Sequence, residues 1–278
     1  MTSIDTTKCI GCGACVADCQ LRVLSLVDGK SWPNPEATCI ECGHCEAICT
    51  QNAPHVLGLD AAADIKPYDA ASFTIEPQRL QNFINFRRSM RQFKKDEVPD
   101  DMIAKIIEAG RHTQTGANRQ TLRYVVLAGD AMKKAKAIAN KALAEVDVEK
   151  IDFNKIYMPP TYQKFQQTWV LWNQYYQATG VDLLLHDAPH HLVVICDYGN
   201  LFDTMLSIGN MELMINALGL GACSTGFGTL AYHISPELQQ LIGLQEGETV
   251  GFSMTFGYPK VGYQRTTNRK APNYTKIT

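Results

Sequence analysis

The sequence predicts a chain of two parts, a small cysteine-rich module followed by a larger domain in which helices and strands both occur. An eleven-residue cysteine pattern occurs twice near the start, as CIGCGACVADC at residues 9–19 and CIECGHCEAIC at 39–49. A stretch rich in Ala, Asp and Pro follows at 58–76, which is typical of a linker. From residue 77 onwards, helical and strand periodicities both appear.

Length and composition are those of an ordinary globular protein. The chain has 278 residues, of which 45% are hydrophobic and 19% are charged, so it can bury a large core. A net charge of −2 without a basic arm argues against a nucleic-acid partner. No run approaches about 20 apolar residues, and the start MTSIDTTKC lacks an apolar signal core. We therefore expect no membrane span and a cytoplasmic location.

The cysteine spacing indicates which metal the first part binds. Each repeat reads C-x2-C-x2-C-x3-C, and soft thiolates bind either iron–sulfur clusters or zinc. Structural zinc usually takes two separated CxxC pairs, whereas three cysteines within seven residues suit a cube of several irons. Gly11, Gly13 and Gly43 permit the positive φ that such a crowded backbone needs. The pattern predicts two 4Fe-4S clusters, with zinc and a disulfide framework as the alternatives.

The two repeats resemble the bacterial two-cluster ferredoxins, in which the fourth cysteine of each run ligates the other cluster. The resemblance implies one cluster on Cys9, Cys12, Cys15 and Cys49, and another on Cys39, Cys42, Cys45 and Cys19. The proline that usually follows the fourth cysteine is replaced by Gln20 and Thr50, so we expect the turn after each run to differ. The ferredoxin-like domain is predicted to span residues 1–57.

The larger domain is predicted to begin at residue 77 and to extend to 278. Helices are predicted within 77–91, from about Pro99 to Gly110, at 131–146, over the aromatic residues from Phe165 to Tyr176, at 203–218 and from Ser235. Strands are predicted at 122–128, 190–196 and 248–258. The segment GLGACSTGFG at 219–228 is predicted to close a helix. Since it does not open one, the sequence does not support a Rossmann nucleotide site.

A basic run, RRSMRQF at 87–93, offers a way to hold an anion. Three guanidiniums within five residues repel one another when taken out of water, unless a negative partner joins them. A phosphate suits their planar forks. Taken alone, the run is equally typical of a basic surface turn.

Several motifs together resemble the nitroreductase superfamily of FMN-dependent enzymes over roughly residues 77–278. They are RRSMRQF, the loop TQTGANRQ at 113–120, the helix ending in GLGACSTGFG, and FGYPK at 256–260. The resemblance implies an α+β fold, a nitroreductase-like sandwich in which helices wrap a mainly antiparallel sheet, preceded here by the small ferredoxin-like module. It also implies a homodimer with FMN at each subunit boundary.

The same resemblance implies a set of FMN-binding residues. The phosphate, ribityl chain and ring edge would be contacted by Arg87, Arg88, Ser89 and Arg91. The partner subunit would contribute Thr115, Gly116 and Asn118. Backbone amides near flavin N5 and O4 would come from Thr225 and Gly226. A basic C-terminal residue would reach the phosphate, and Arg269 matches this role better than Arg265 or Lys270.

Aromatic residues are concentrated at about 150–180, from Tyr157 to Tyr176. Phe165, Trp169, Trp172 and Tyr176 share one helical face. Such a stripe is typical of a buried core, and the alternative is a lid that lines a substrate pocket. Cys223 lies near the implied flavin contacts, but a lone cysteine is more often a small buried hydrophobe.

Clusters and flavin together predict an FMN-dependent oxidoreductase that takes electrons through two 4Fe-4S clusters and reduces a small organic acceptor, foremost a nitroaromatic compound. No side chain is expected to be catalytic, because the hydride comes from FMN N5. A low-potential donor such as ferredoxin is expected. Two alternatives remain open: the acceptor is an enone, a quinone or a carbon–halogen bond, or the protein is a non-enzymatic relay or sensor that passes electrons to a protein partner.

Overall fold

A computed structural model of the protein describes residues 1–59, 64–154, 156, 158–197 and 200–278. The chain divides into two compact units. The first unit comprises Met1–Ile75 and Thr115–Gln120, and the second comprises Glu76–Gln114 and Thr121–Thr278. Within the predicted linker, residues 60–63 lie outside the described residues, as does Tyr157 of the aromatic segment.

The first unit contains two short antiparallel ladders and short helices. In chain order its elements are β1 (Thr2–Ile4), α1 (Ala14–Asp18), β2 (Leu24–Val27), β3 (Lys30–Pro33), α2 (His44–Ile48), β4 (Pro54–Val56) and α3 (Ala70–Phe73). β1 pairs with β4, and β2 pairs with β3. The cysteine repeats supply α1 and α2, which begin after Gly13 and Gly43 at φ of 76° and 73°. A 3₁₀ turn at Gly116–Asn118 belongs to this unit as well.

The second unit carries the longer elements of the described chain. Its helices are α4 (Pro77–Phe86), α5 (Asp100–Arg111), α6 (Gly129–Glu145), α7 (Gln166–Thr179), α8 (Leu201–Ala217), α9 (Gly226–Ile234) and α10 (Pro236–Leu241). Its strands are β5 (Arg123–Leu127), β6 (His190–Asp197), β7 (Gly221–Ser224) and β8 (Glu248–Gly257). Local signals set several helix starts. The Glu76 carboxylate caps α4 by accepting from Gln78 and Arg79 N–H, and Ser235 Oγ accepts from Leu238 N–H at the start of α10.

The sheet of the second unit is antiparallel in the order β5-β6-β8-β7. β6 is buried on both faces, as expected for a strand covered by helices on each side. Leu192 and Val194 pack with residues of α5 and α8, while Val193 and Ile195 pack with residues of α6 and α9. Helices therefore wrap both faces of the sheet, in agreement with the predicted α+β sandwich.

The segment GLGACSTGFG differs from its prediction. It ends α8, but it also contains the edge strand β7 and the start of α9. β7 has only four residues and depends on its pairing with β8, so its local signal is weak. Gly228 disfavours a helix by propensity, yet a Cβ at Gly228 would lie 2.9 Å from Leu185 Cδ2, so a larger residue there would displace the buried Leu185 side chain.

Within the described part of the chain, no helix is both long enough and apolar enough to cross a membrane.

Candidate functional site

The eight cysteines of the repeats line two cavities in the first unit. One cavity is lined by Cys9, Cys12, Cys15 and Cys49. The other is lined by Cys39, Cys42, Cys45 and Cys19. The fourth cysteine of each repeat thus joins the first three of the other repeat, and these are the two groups that the ferredoxin resemblance implies.

Backbone amides surround the cysteine sulfurs in a repeated way. Val23 N–H donates to Cys19 Sγ at 3.3 Å, and Ala53 N–H donates to Cys49 Sγ at 3.4 Å, each four residues after the fourth cysteine of its run. Hydrogen bonds to sulfur favour the thiolate, which is the form that binds metal. Four thiols that line one cavity, with N–H donors beside them, fit an iron–sulfur cluster.

The sulfurs differ in how their surroundings affect ionisation. The N–H groups of Ser31, at 3.4 Å, and of Gly11 hold the pKa of Cys9 below its usual value. Burial raises the pKa of Cys45, and the hydroxyl of Thr2, 3.7 Å from its sulfur, only partly opposes that effect.

A second kind of cavity, of about 600 Å³, lies in the second unit and is lined by basic and polar side chains. The lining residues predicted to bind FMN are Arg87, Arg88, Ser89 and Arg269. The others are Ile84, Asn85, Glu212, Thr266 and Thr267. Arg265 and Lys270 are not among the residues that line it.

Positively charged side chains outnumber negatively charged ones in this cavity. Arg87 Nη1 lies 3.0 Å from Glu212 Oε2, and Arg88 Nη1 donates to Thr267 Oγ1 at 2.6 Å. Arg87 Nε is buried and has no hydrogen-bond partner among the described residues. A buried donor without a hydrogen-bond partner costs free energy, so the Arg87 guanidinium can bind a further anion through this N–H. Three arginines against one carboxylate fit the phosphate of FMN.

Strand-like pairing places the arginine run beside β7. Ser89 forms a parallel bridge with Ala222, whose carbonyl accepts from Met90 N–H at 2.7 Å. Arg91 does not line the arginine cavity. The positive charge of Arg91 instead affects His186. The pKa of His186 falls to about 4, mainly because the imidazole is buried and to a smaller extent because of the Arg91 charge. Cys223 is buried as predicted, and burial raises its pKa.

Thr225 and Gly226 lie where β7 gives way to α9, and their backbone roles differ. Thr225 N–H donates to Ser253 O at 2.9 Å, and Thr225 Oγ1 lies 2.9 Å from Ser253 Oγ. The amide of Thr225 is therefore already engaged. Gly226 opens α9, and amides in a first helical turn have no partner within the helix and lie at its positive end. The resemblance implies that this pair provides backbone N–H donors near flavin N5 and O4. Because the Thr225 amide is engaged, this role depends on the Gly226 amide.

His191 lies in the buried strand that the sequence predicts, but sequence reasoning did not identify its hydrogen-bond partners. It is fully buried on β6, with Nε2 3.3 Å from Thr225 Oγ1 and Nδ1 3.2 Å from Tyr232 Oη. Burial lowers its pKa to about 3, so the imidazole is neutral. His191 thereby fixes the side chain of Thr225. The available signal was its position within the buried run HHLVVIC, where a polar side chain needs partners.

The aromatic segment packs around Phe227, the second residue of α9. Ring centroids lie 4.9 Å away for Tyr162, 5.1 Å for Phe165, 5.3 Å for Trp169 and 6.0 Å for Trp172. Trp169 is 1% exposed and belongs to the core, whereas Phe165 is 38% exposed. Within this aromatic stripe, Trp169 is therefore a core residue and Phe165 is a surface residue.

Tyr162 reaches the start of α9 directly. A Cβ at Gly226 would lie 2.3 Å from Tyr162 Oη, so the phenol lies against the glycine. Burial raises the pKa of Tyr162, and the hydroxyl stays protonated at neutral pH. A protonated phenol next to open helix amides can donate a hydrogen bond to a bound molecule.

Three of the predicted FMN residues lie in the other unit. Thr115, Gly116 and Asn118 belong to the unit that holds the cysteines. Asn118 Nδ2 donates to the carbonyls of Ile40, at 3.2 Å, and Glu41, at 2.9 Å. The structure thus groups Asn118 with a cysteine loop, and it groups Arg87, Arg88, Ser89 and Arg269 with one another.

The second unit is an antiparallel sheet wrapped by helices, and a cysteine-rich unit precedes it. The family model described as "Nitroreductase family" matches residues 84–258, more than half of the chain, and the chain belongs to that family. A model described as "4Fe-4S dicluster domain" matches residues 8–53. The predicted resemblance and fold class are confirmed, and the protein is an oxidoreductase.

Two curated relatives are iodotyrosine deiodinases. The protein from Hydra vulgaris is 23% identical over 227 residues, which cover 75% of this chain and 77% of that protein. The protein from Daphnia pulex is 23% identical over 210 residues, which cover 71% of this chain but only 64% of that protein.

Solved structures of nitroreductases with bound FMN share the fold. One, from Desulfitobacterium hafniense, is 23% identical with a TM-score of 0.55, over 73% of this chain and all of that chain. Another, from Bacteroides fragilis, is 19% identical with a TM-score of 0.56, over 74% of this chain and all of that chain. At these identities the likeness is one of fold.

Proposed function

We propose that this protein is a reductase that takes up electrons through two 4Fe-4S clusters and delivers them to a small organic acceptor at FMN. The observation that carries the flavin part is the cavity lined by Arg87, Arg88 and Arg269, in which the buried Nε of Arg87 has no partner. The observation that carries the electron inlet is the sorting of eight cysteines into two groups of four. The nitroreductase family and the FMN bound in its solved neighbours support the flavin part, and the match to the 4Fe-4S dicluster domain supports the electron inlet.

Each site residue has a specific role in this proposal. Arg87, Arg88, Ser89 and Arg269 hold the phosphate end of FMN, and Arg91 contacts the flavin beside it. Gly226 presents its amide to the ring. Bound FMN supplies the chemistry, because a flavin accepts single electrons and delivers a hydride. The polypeptide contributes binding, orientation and a hydrogen-bond donor at Tyr162.

A homodimer completes the site in this proposal, as the family resemblance implies. Thr115, Gly116 and Asn118 approach the flavin of the partner subunit. A low-potential carrier such as a ferredoxin reduces the cysteine-rich unit. The acceptor is a small molecule, since Tyr162 and Phe165 form an aromatic wall beside Gly226.

The first candidate acceptor is a nitroaromatic compound, which the family supports. Its nitro group takes up two electrons and two protons to give a nitroso group and water. A second candidate is an aromatic carbon–halogen bond, because two relatives are iodotyrosine deiodinases. There, two electrons and one proton replace the halogen by hydrogen and release halide.

An anaerobic turnover assay distinguishes these candidates. Protein purified with its cofactors would be supplied with reduced ferredoxin and either a nitroaromatic or a halogenated phenol, and products would be separated by chromatography. Product formation in either case supports a reductase, and the substrate that turns over with higher kcat/KM identifies the chemistry. Absence of product from both of these, and from an enone and a quinone tested in the same way, with FMN bound and reduced, contradicts the proposal and favours a protein-to-protein relay.

A further inference from the structure

The two cysteine loops of the first unit differ at one equivalent position. Gly11 and Glu41 both stand between the first and second cysteines of their runs, and both have positive φ, 73° and 55°. A Cβ at Gly11 would lie 2.0 Å from Gly29 O, so glycine is required there. Glu41 instead carries a side chain in a left-handed conformation, which is costly for residues other than glycine. The second loop therefore needs support from other segments.

Asn118 provides such support. Its Nδ2 donates to Ile40 O at 3.2 Å and to Glu41 O at 2.9 Å, across 78 and 77 positions of sequence. Asn118 belongs to the same compact unit as the cysteine loops. The N-terminal ammonium of Met1 contacts the Glu41 carboxylate as well. Contacts from two remote segments thus hold the second loop.

The bond to Ile40 O acts on a peptide group that also contacts a cysteine. The carbonyl of Ile40 and the N–H of Glu41 form one peptide, and that N–H donates to Cys39 Sγ at 3.4 Å. A donor at the carbonyl polarises the peptide and strengthens its N–H as a donor. Hydrogen bonds to cluster sulfurs help to set the reduction potential, because they stabilise the more negative, reduced form.

We propose that Asn118 is a positioning residue that raises the reduction potential of the cluster on Cys39, Cys42, Cys45 and Cys19. It acts through the Ile40–Glu41 peptide and leaves the other cluster unaffected. This inference rests on the cluster ligation of the proposed function. Its consequence is that a residue outside both cysteine repeats makes the two clusters unequal.

The test is a redox titration of the purified holoprotein followed by electron paramagnetic resonance. Asn118→Gly is the suitable variant, because Asn118 itself has φ of 54° and glycine removes the amide without adding strain. Asn118→Asp keeps the shape but replaces the donor by an acceptor. Asn52→Gly is the matched control, since Asn52 has φ of 49° in the same unit. A Cys42→Ala variant identifies which signal belongs to the second cluster.

We expect both Asn118 variants to lower the potential of the second cluster alone. At a fixed poise, the ratio of reduced to oxidised cluster should fall by up to about tenfold, which is about 59 mV for one electron. Unchanged potentials in both variants, or an equal shift in both clusters, would overturn the inference. Iron analysis of the wild type tests the proposed function separately, because two clusters require about eight irons per chain.

Discussion

The cysteine-rich unit and the arginine-lined cavity are built in different ways. Each cysteine group takes three members from one short run and a fourth from the other run. The arginine cavity instead combines the end of α4, a carboxylate on α8 and the C-terminal tail, and its Arg88–Thr267 bond spans 179 positions. Spacing along the chain decides the first site, whereas tertiary assembly decides the second. Substitutions in the cysteine loops should therefore change the conformation of one loop and its iron content. Substitutions in the arginine cavity should instead change the affinity for the ligand.

The largest effect is expected at Gly11, where the local backbone leaves no room. A Gly11→Ala substitution would place Cβ 2.0 Å from a backbone oxygen, so we expect the loop to lose its conformation and the protein to lose about half of its iron. Iron analysis of purified protein measures this. FMN content should be unchanged, because no residue of the Gly11 loop lines the arginine cavity.

Glu41→Gly is the matched control in the second repeat. Glycine relieves the left-handed strain at Glu41, so iron content should stay at the wild-type value. If Gly11→Ala kept all of its iron while Glu41→Gly lost some, the comparison of the two loops would be wrong.

A smaller effect is expected at Arg87, which in our proposal makes one of several contacts to the FMN phosphate. Arg87→Ala should weaken FMN binding roughly ten- to hundredfold, because hydrogen bonds to charged groups contribute about 1.5–3 kcal/mol each. Fluorescence titration of the apoprotein with FMN measures the Kd. Arg79→Ala, on an exposed part of α4, is the control that should bind FMN normally. Equal affinity in both variants would remove Arg87 from the phosphate site.

A pH effect should be visible in the second unit. Burial lowers the pKa of His191 to about 3 and that of His186 to about 4, below the value of about 6.5 in an unfolded chain. The unfolded state therefore binds protons first as the pH falls, and stability is lost from about pH 6.5 downwards. The slope should be about 1.4 kcal/mol per pH unit for each histidine.

Urea unfolding followed by tryptophan fluorescence at several pH values tests this slope, since Trp169 lies in the core of the second unit. His186→Asn should flatten the slope, and asparagine tolerates the local φ of 59°. A slope that is identical in wild type and variant would show that His186 does not contribute.

Much of the cysteine site could be predicted because its information is local. The spacing C-x2-C-x2-C-x3-C and the ferredoxin resemblance named all eight cysteines that line the two cavities. The long helices and β6 were also predictable from periodicity. β7 was missed because its four residues gain their stability from pairing with β8.

Other features of the site depend on contacts that no local pattern reveals. The run at Arg87 predicted an anion site, but the pairing of Arg87 with Glu212 follows only from how α8 packs. The hydrogen bonds of His191 to Thr225 and of Asn118 to the Glu41 loop join residues far apart in sequence. Likewise, the hydroxyl of Tyr162 against Gly226 follows from tertiary packing.

The central claim is that electrons enter through the clusters and reach the acceptor by way of FMN. Cys12→Ala tests it most directly, since Cys12 lines the first cysteine cavity and no part of the arginine cavity. The measurement is the anaerobic rate of flavin reduction by reduced ferredoxin, followed by absorbance, in variant and wild type with equal FMN content. Dithionite reduction of the same samples shows that the flavin remains reducible. We predict that the ferredoxin-driven rate collapses in Cys12→Ala while the dithionite-driven reduction persists; an unchanged ferredoxin-driven rate would contradict the claim.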